Sequence, residues 1–136
     1  MLIREFISET NKNQMISRLL KHYKVGSVKL KYKSMKDFAH FDVDRGELQL
    51  SSRYKNLKDS QIKNFLITII HEIRHAMDAK KYGWKKFKDM YEWEMNYQIS
   101  KGKDEYKDNK YEIEAEQFGQ KNWSKWKTRF KKEGLI

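Results

Sequence analysis

Two histidines and a glutamate within five residues form the pattern in this chain that best fits a chemical role. Residues 71–75 read His-Glu-Ile-Arg-His, so His71 and His75 are four residues apart. On a helix this spacing places both imidazoles on one face, where they can bind the same metal ion. Glu72 lies about 100° around the helix, where its carboxylate can take a proton from water beside that ion. Because zinc accepts these donors, the pattern predicts a zinc-dependent hydrolase, and we expect a peptidase.

The alternative is a helix that exposes two histidines on its solvated side. The flanking sequence predicts a helix over residues 60–81, capped by Asp59 or Ser60. Its apolar stripe consists of Ile62, Phe65, Leu66, Ile69, Ile73 and Ala76. The opposite side carries both histidines and Asp78, where an exposed helix face of this Lys-rich chain would carry Lys and Glu. This composition favours a metal site over a solvated face.

A stable zinc site needs a third protein ligand. The only other histidines, His22 and His40, both precede the pattern, and the chain contains no cysteine. A carboxylate after the histidine pair is therefore the expected donor. Three glutamates in one later segment are available: Glu112, Glu114 and Glu116.

Helix geometry separates these three glutamates. Glu112 and Glu116 share a face, whereas Glu114 points about 200° away from Glu112. Glu112 also lies on the apolar side of its predicted helix, and a buried carboxylate there needs a partner, which zinc would supply. The alternative is a capping box in which Asn109 is the cap and Glu112 bonds back to it. Glu116 and Asp78 are rival candidates to accept a hydrogen bond from a ligand histidine, although a solvated helix face would also account for Glu116.

Together these segments resemble the ImmA/IrrE group of small zinc metallopeptidases. The resemblance covers roughly residues 40–120 and consists of His-Glu-x-x-His followed by Glu-x-Glu-Ala-x-x-Phe on a later helix, a minimal gluzincin arrangement. The chain departs from the usual pattern in places. Arg74 stands where family members often have Gly, and Gly119 where they usually have Ala. An apolar run that follows in the family is replaced here by Gln120-Lys121-Asn122-Trp123.

The resemblance implies a zinc metalloendopeptidase with one Zn²⁺ ion. By position, His71, His75 and Glu112 would be the ligands and Glu72 the general base. Proteins of this group occur in bacteria, phages and other mobile elements, and several cleave or inactivate repressors. The implied substrate is therefore an intracellular protein, such as a repressor or another regulator. Four residues are candidates to stabilise the oxyanion of the reaction, and the sequence does not choose among them: Arg74, Tyr97, Tyr106 and Tyr111.

The remaining patterns predict an α+β fold for residues 1–136 as a single domain, which the resemblance implies is zincin-like. Alternating residues at 28–32 predict a strand, and 38–43 and 47–51 predict two more, joined by a hairpin turn. We expect a small three-stranded, mostly antiparallel sheet packed on the metal-bearing helix, with flanking N- and C-terminal helices. A sheet edge beside that helix would let an extended substrate add as another strand.

Helices are also predicted in the flanking parts of the chain. Residues 2–24 have helical spacing in two pieces, and the apolar stripe of the first piece is Leu2, Ile3, Phe6 and Ile7. A further helix begins after Gly83, and its apolar residues, expected to pack in the core, are Trp84, Phe87, Met90, Tyr91 and Met95. The last helix spans 110–131. Between these last two helices, residues 98–109 are polar and predict a loop near the site.

The chain is strongly basic, with a formal net charge of +11 and a pI near 9.7. No apolar run is long enough to span a membrane and no secretory pattern opens the sequence, so we expect a cytoplasmic protein without membrane contact. Residues 18–36 carry seven positive charges and no acid. The rival hypothesis is therefore a non-catalytic protein that binds nucleic acid or an acidic protein through this surface and holds a structural or vestigial metal. Lysines that only keep the surface soluble would give the same composition, and the oligomeric state stays open.

Overall fold

A computed structural model describes residues 6–26, 28–42 and 44–136. The elements in chain order are α1 (Glu9–His22), β1 (Lys29–Lys33), β2 (Ala39–Asp42), β3 (Glu47–Ser51), α2 (Ile62–Tyr82), α3 (Trp84–Ser100) and α4 (Lys110–Lys132). Two short 3₁₀ turns connect β3 to α2. The predicted α+β class, the three strands and the flanking helices are confirmed.

The N-terminal helix begins later than predicted. Ser8 caps α1, because its Oγ accepts a hydrogen bond from the Asn11 backbone N–H at 3.1 Å. Of the apolar stripe expected to form an earlier helical piece, the part at residues 2 and 3 lies outside the described residues. Phe6 instead forms an isolated antiparallel bridge with Lys58. A short apolar run fits a strand as well as a helix, and here pairing with Lys58 favours an extended conformation at Phe6.

The sheet is mixed rather than mostly antiparallel. Its strand order is β1-β3-β2, with β2 antiparallel to β3 and β1 parallel to β3. Leu30 is paired with Leu48 and Tyr32 with Leu50. Alternating hydrophobicity determines which face of a strand is buried, but not which strand lies beside it, so the parallel pair was not predictable from the pattern. This order leaves β2 as an edge strand.

Helix α2 runs through the centre of the fold. It begins at Ile62 after a 3₁₀ turn, and neither Asp59 nor Ser60 caps it. Its apolar stripe is buried as predicted, and the histidine side is buried as well because α3 and α4 cover it. At the crossing with α4, a Cβ added to Gly119 would lie 2.7 Å from the Ile67 carbonyl oxygen. Only a glycine allows α4 to approach α2 this closely.

A fully buried lysine joins α1 to the sheet side of the molecule. Lys12 is 0% exposed, and its Nζ donates hydrogen bonds to the carbonyls of Tyr54 at 2.8 Å and Lys55 at 3.0 Å. Its ammonium also lies 4.6 Å from the centre of the Tyr32 ring. These partners compensate for the cost of burying the charge. Across the described part of the chain, no helix has the length and apolar character needed to cross a membrane.

Candidate metal centre and its cleft

The structure brings His71, His75 and Glu112 together as a buried group that could hold a metal ion. One donor atom from each of the three residues lies within 4.8 Å of the other two. The Nε2 atoms of His71 and His75 are 2.8 Å and 2.9 Å from the same oxygen, Oε1 of Glu112. All three residues are less than 9% exposed. Two imidazoles from α2 and one carboxylate from α4 therefore converge on a single point.

The donor set fits zinc. Two imidazole nitrogens and a carboxylate oxygen are among the ligand sets of catalytic zinc sites, which leave a fourth position open. Around a tetrahedral ion at about 2.0–2.1 Å, neighbouring donors are separated by about 3.3 Å. Small side-chain rotations would widen the present contacts of 2.8 Å and 2.9 Å to that separation.

Capping at the start of α4 holds Glu112 in place. The Asn109 side chain accepts a hydrogen bond from the Tyr111 backbone N–H at 2.9 Å. The buried Glu94 of α3 accepts the next orphan donor, the Lys110 N–H, at 2.8 Å. Asn109 is thus the predicted cap, but the Glu112 carboxylate bonds to the two histidines rather than back to the cap. The capping-box alternative for Glu112 is wrong.

The electrostatics of the group favour an anionic Glu112. Burial by itself would raise the pKa of this carboxyl, but hydrogen bonds with His71 and His75 outweigh burial and hold its pKa well below the ordinary value. For His75, burial lowers the pKa of the ring, while the hydrogen bond to Glu112 and the charge of Glu72 raise it more. A carboxylate that stays deprotonated among donors is the form that binds a metal.

Tyr91 completes the surroundings of Glu112 and was not predicted as a site residue. Its hydroxyl donates a hydrogen bond to Oε2, the carboxylate oxygen that faces away from the histidines. Burial and the negative charge of Glu112 raise the pKa of this hydroxyl, so it stays protonated and remains a donor. From the sequence, Tyr91 belonged to the apolar stripe of α3. Only its position opposite α4 reveals the contact.

Glu72 is buried beside the histidine pair and lines the cleft. It is 7% exposed, and within residues 6–26, 28–42 and 44–136 its carboxylate has no hydrogen bond or ion pair. Burial raises the pKa of this carboxyl, and the positive character of His75 and His71 partly opposes the rise. A carboxylate without a fixed partner and with a raised pKa is suited to exchange protons.

Neither candidate for the supporting hydrogen bond makes one. Glu116 Oε1 is 3.7 Å from His71 Nδ1, an ion-pair distance. Asp78 Oδ1 faces Arg74 at 3.4 Å. Asp78 Oδ2 and His75 Nδ1 are both buried, with no hydrogen-bond partner among the described residues. Glu116 is therefore near His71, whereas Asp78 is paired with Arg74.

A cleft of about 830 Å³ opens onto these residues. One wall is β2 together with the segment before it, and the other is α3. The histidines and Glu72 form the floor with the start of α4. Since β2 pairs only with β3, its outer edge has no strand beside it in the described chain. An extended chain could lie along that edge.

Among the four oxyanion candidates, only Tyr106 lines the cleft. Tyr111 is buried against Phe87, and Arg74 contacts Asp78 and lies over a ring of α4. Tyr97 is on the outer face of α3, stacked on another aromatic ring. Partial burial, with the negative charges of Glu112 and Glu72, raises the pKa of the Tyr106 hydroxyl.

The segment that carries Tyr106 is a series of turns, and α3 continues through the first three residues of the predicted loop. The Asp104 carboxylate accepts hydrogen bonds from the backbone N–H of Tyr106 at 2.9 Å and of Lys107 at 2.6 Å. Asp108 in turn accepts the Asp104 N–H at 2.8 Å. These bonds fix the backbone at Tyr106.

A scan against protein-family models, together with searches of curated proteins and of solved structures, found no match for this chain.

Proposed function

We propose that this protein is a zinc-dependent endopeptidase. One observation carries the proposal: the donors of His71, His75 and Glu112 lie within 4.8 Å of one another, beside the unpartnered Glu72, on the floor of a cleft. A metal site used only for structure is normally closed by a fourth protein ligand. No fourth His, Asp or Glu joins this group among the described residues, so one position of a tetrahedral ion would face the cleft.

The residues around the group have distinct tasks in peptide hydrolysis. When bound, zinc would acidify water and polarise a carbonyl oxygen. Glu72 accepts a proton from the attacking water and returns it to the leaving amine. Tyr106 donates a hydrogen bond to the developing oxyanion, for which its raised pKa keeps it protonated. Tyr91 holds the carboxylate of Glu112 in its orientation through the bond to Oε2.

The edge of β2 offers a place for the substrate. An extended peptide could add to this edge through main-chain hydrogen bonds and cross the floor of the cleft. The resemblance to ImmA/IrrE peptidases supports a protein substrate such as a repressor or another regulator in the cytoplasm, in a phage or mobile-element setting.

The test combines metal analysis with one conservative substitution. The purified protein should contain one zinc per chain and cleave a peptide library, and Glu72→Gln should keep the zinc while hydrolysis falls by at least about 100-fold. Glu105→Gln, at an exposed position in the loop, is the matched control and should keep both properties. Equal hydrolysis by Glu72→Gln and wild type would remove Glu72 as the base. If the wild-type protein binds zinc but cleaves no peptide of the library, the peptidase proposal is wrong.

A second candidate function is nucleic-acid binding, favoured by the second half of α4. Six exposed cations and no acid lie between residues 121 and 132. Trp123 is flanked there by Lys63, with Nζ 5.1 Å from the ring centre, and Lys127 at 6.0 Å. Cations beside an aromatic ring are the elements of single-strand recognition. Binding to DNA that falls steeply with salt and is unchanged by zinc removal would support this function.

A further inference from the structure

The cleft has the opposite charge to the rest of the molecule. Among the described residues, seven acidic side chains line the cleft, whereas only two lysines and no arginine do. A dication bound at the centre would balance Glu72 and Glu112. The remaining acids of the cleft are Asp37, Asp42, Asp44, Glu92 and Glu116. Set against Lys36 and Lys88, they leave a negative cleft in a chain of net charge +11.

These five carboxylates are not equally available to a ligand. Asp44 pairs with Lys88 at 3.1 Å, Asp42 lies 3.9 Å from Arg45, and Glu116 is next to His71. Asp37 and Glu92 are exposed, and neither has a hydrogen bond or ion pair within the described part of the chain. One precedes β2 and the other is on α3, so each wall of the cleft presents one free negative charge.

The two edges of the sheet differ in the same sense. Strand β1 exposes Lys29, Lys31 and Lys33, which would repel a cationic chain and protect that edge from pairing. Strand β2 has the sequence Ala-His-Phe-Asp and no lysine or arginine. An extended basic peptide is therefore disfavoured at β1 and accepted at β2, the edge that lines the cleft.

Apolar surface in the cleft suits the stems of basic side chains. Phe38 is 51% exposed and Tyr106 is 54% exposed, and Met95 of α3 also lines the cleft. Lysine and arginine cover apolar surface with their methylene chains while the charged ends reach outward. Here the charged ends would meet Asp37 and Glu92.

We propose that the cleft selects cationic peptides, extended segments whose Lys or Arg side chains reach Asp37 on one wall and Glu92 on the other. This inference rests on the proposed peptidase function and names its substrate class. The preference is local, because the ions of physiological salt screen interactions between charges that are more than about 8 Å apart.

Binding is measured apart from turnover, with zinc-loaded Glu72→Gln and short fluorescent peptides of equal length that carry Lys, Gln or Glu at alternate positions. The Lys peptide should bind at least about 10-fold more tightly than the Glu peptide at low salt. Asp37→Asn and Glu92→Gln should each weaken the Lys peptide by about 2- to 5-fold and leave the Gln peptide unchanged. Asp89→Asn removes the same charge from α3 at an exposed position outside the cleft and should change neither.

Hydrolysis of the same peptides by wild type separates this inference from the peptidase proposal. A charge preference that depends on Asp37 and Glu92, without cleavage of any peptide, supports the cationic cleft and counts against the peptidase. If all three peptides bind equally and are cleaved at similar rates, the proposal of a cation-selective cleft is wrong, whereas the peptidase proposal is supported. A Lys preference that Asp89→Asn reduces as much as Glu92→Gln does also overturns it, because the charge of the whole surface would then be the cause.

Discussion

The two halves of α4 carry opposite charges in very different surroundings. Residues 110–119 hold three glutamates, and one of them, Glu112, is 7% exposed among two histidines and a tyrosine. Residues 120–132 hold six cations, all exposed, and no acid. The buried stripe of the same helix changes accordingly, from Ala115 and Gly119 against α2 to Trp126 and Phe130 in the core.

The difference shows when a charge predicts a site. An exposed lysine is solvated by water and needs no partner, so the second half of α4 is compatible with many functions. A buried carboxylate must be compensated, and each contact of Glu112 can be identified in the structure. The first half therefore constrains the chemistry, and the second half constrains only the long-range electrostatics.

The largest effect is expected from a substitution in the first half of α4 that removes a metal ligand. Glu112→Ala should reduce zinc affinity by at least about 100-fold and abolish hydrolysis, because two histidines alone do not hold the ion. Glu114→Ala, two residues later on the exposed side of the same turn, should keep one zinc per chain. Metal analysis after dialysis measures both. Full zinc in Glu112→Ala would show that α4 supplies no ligand.

Tyr106→Phe tests the contribution of the turn segment to the site. Loss of one donor to an oxyanion should lower kcat by about 100-fold while zinc content and KM stay close to wild type. Tyr97→Phe removes a hydroxyl from the outer face of α3 and should leave kcat unchanged. Steady-state kinetics on one peptide are sufficient, and a fall confined to KM would point to substrate binding instead.

Gly119→Ala tests the close approach of α4 to α2 at the boundary between the two halves of α4. The added methyl would lie 2.7 Å from the Ile67 carbonyl oxygen, so α4 must move away from α2. We expect a loss of about 1–3 kcal/mol in the free energy of unfolding, with weaker zinc binding because Glu112 moves with its helix. Gly26→Ala is the control, since nothing lies within 4 Å of an added Cβ there. Denaturant unfolding with and without zinc compares the two variants.

The smallest effect on the site is expected from the basic half. Lys127→Gln together with Lys131→Gln should leave zinc content unchanged and alter hydrolysis by less than about 2-fold, since both side chains are exposed and outside the cleft. If the second candidate function holds, the same pair should lower the slope of log affinity for DNA against log salt by about two. Salt titrations with labelled DNA measure this slope, and a change in zinc content would contradict the separation of the two halves.

The sequence was most informative where one element contains the whole signal. The spacing of His71 and His75 and the apolar stripe behind them lie on one helix, and that helix was predicted within two residues at each end. The last helix and its Asn109 cap were likewise local and agree with the structure. Local periodicity and capping chemistry act within a few residues and are visible in one dimension.

Contacts between elements were harder to predict. Three features of the structure depend on residues from separate elements: the parallel pairing of β1 with β3, the hydrogen bond from Tyr91 to Glu112, and the position of Tyr106 in the cleft. Periodicity assigned Tyr91 to an apolar stripe, because an amphipathic side chain can pack its ring and still direct its hydroxyl to a neighbour.

By itself the sequence determined the α+β class, the histidine pair on one helix and the net charge of +11, because composition and helical spacing are properties of the chain. It ranked Glu112 first among three glutamates but left a capping role open. Only the tertiary structure decided that role, by packing α4 on α2 at Gly119 so that one carboxylate faces both imidazoles. The physical reason is that a metal site is a convergence of donors in space, and spacing along the chain fixes only the donors that share a helix.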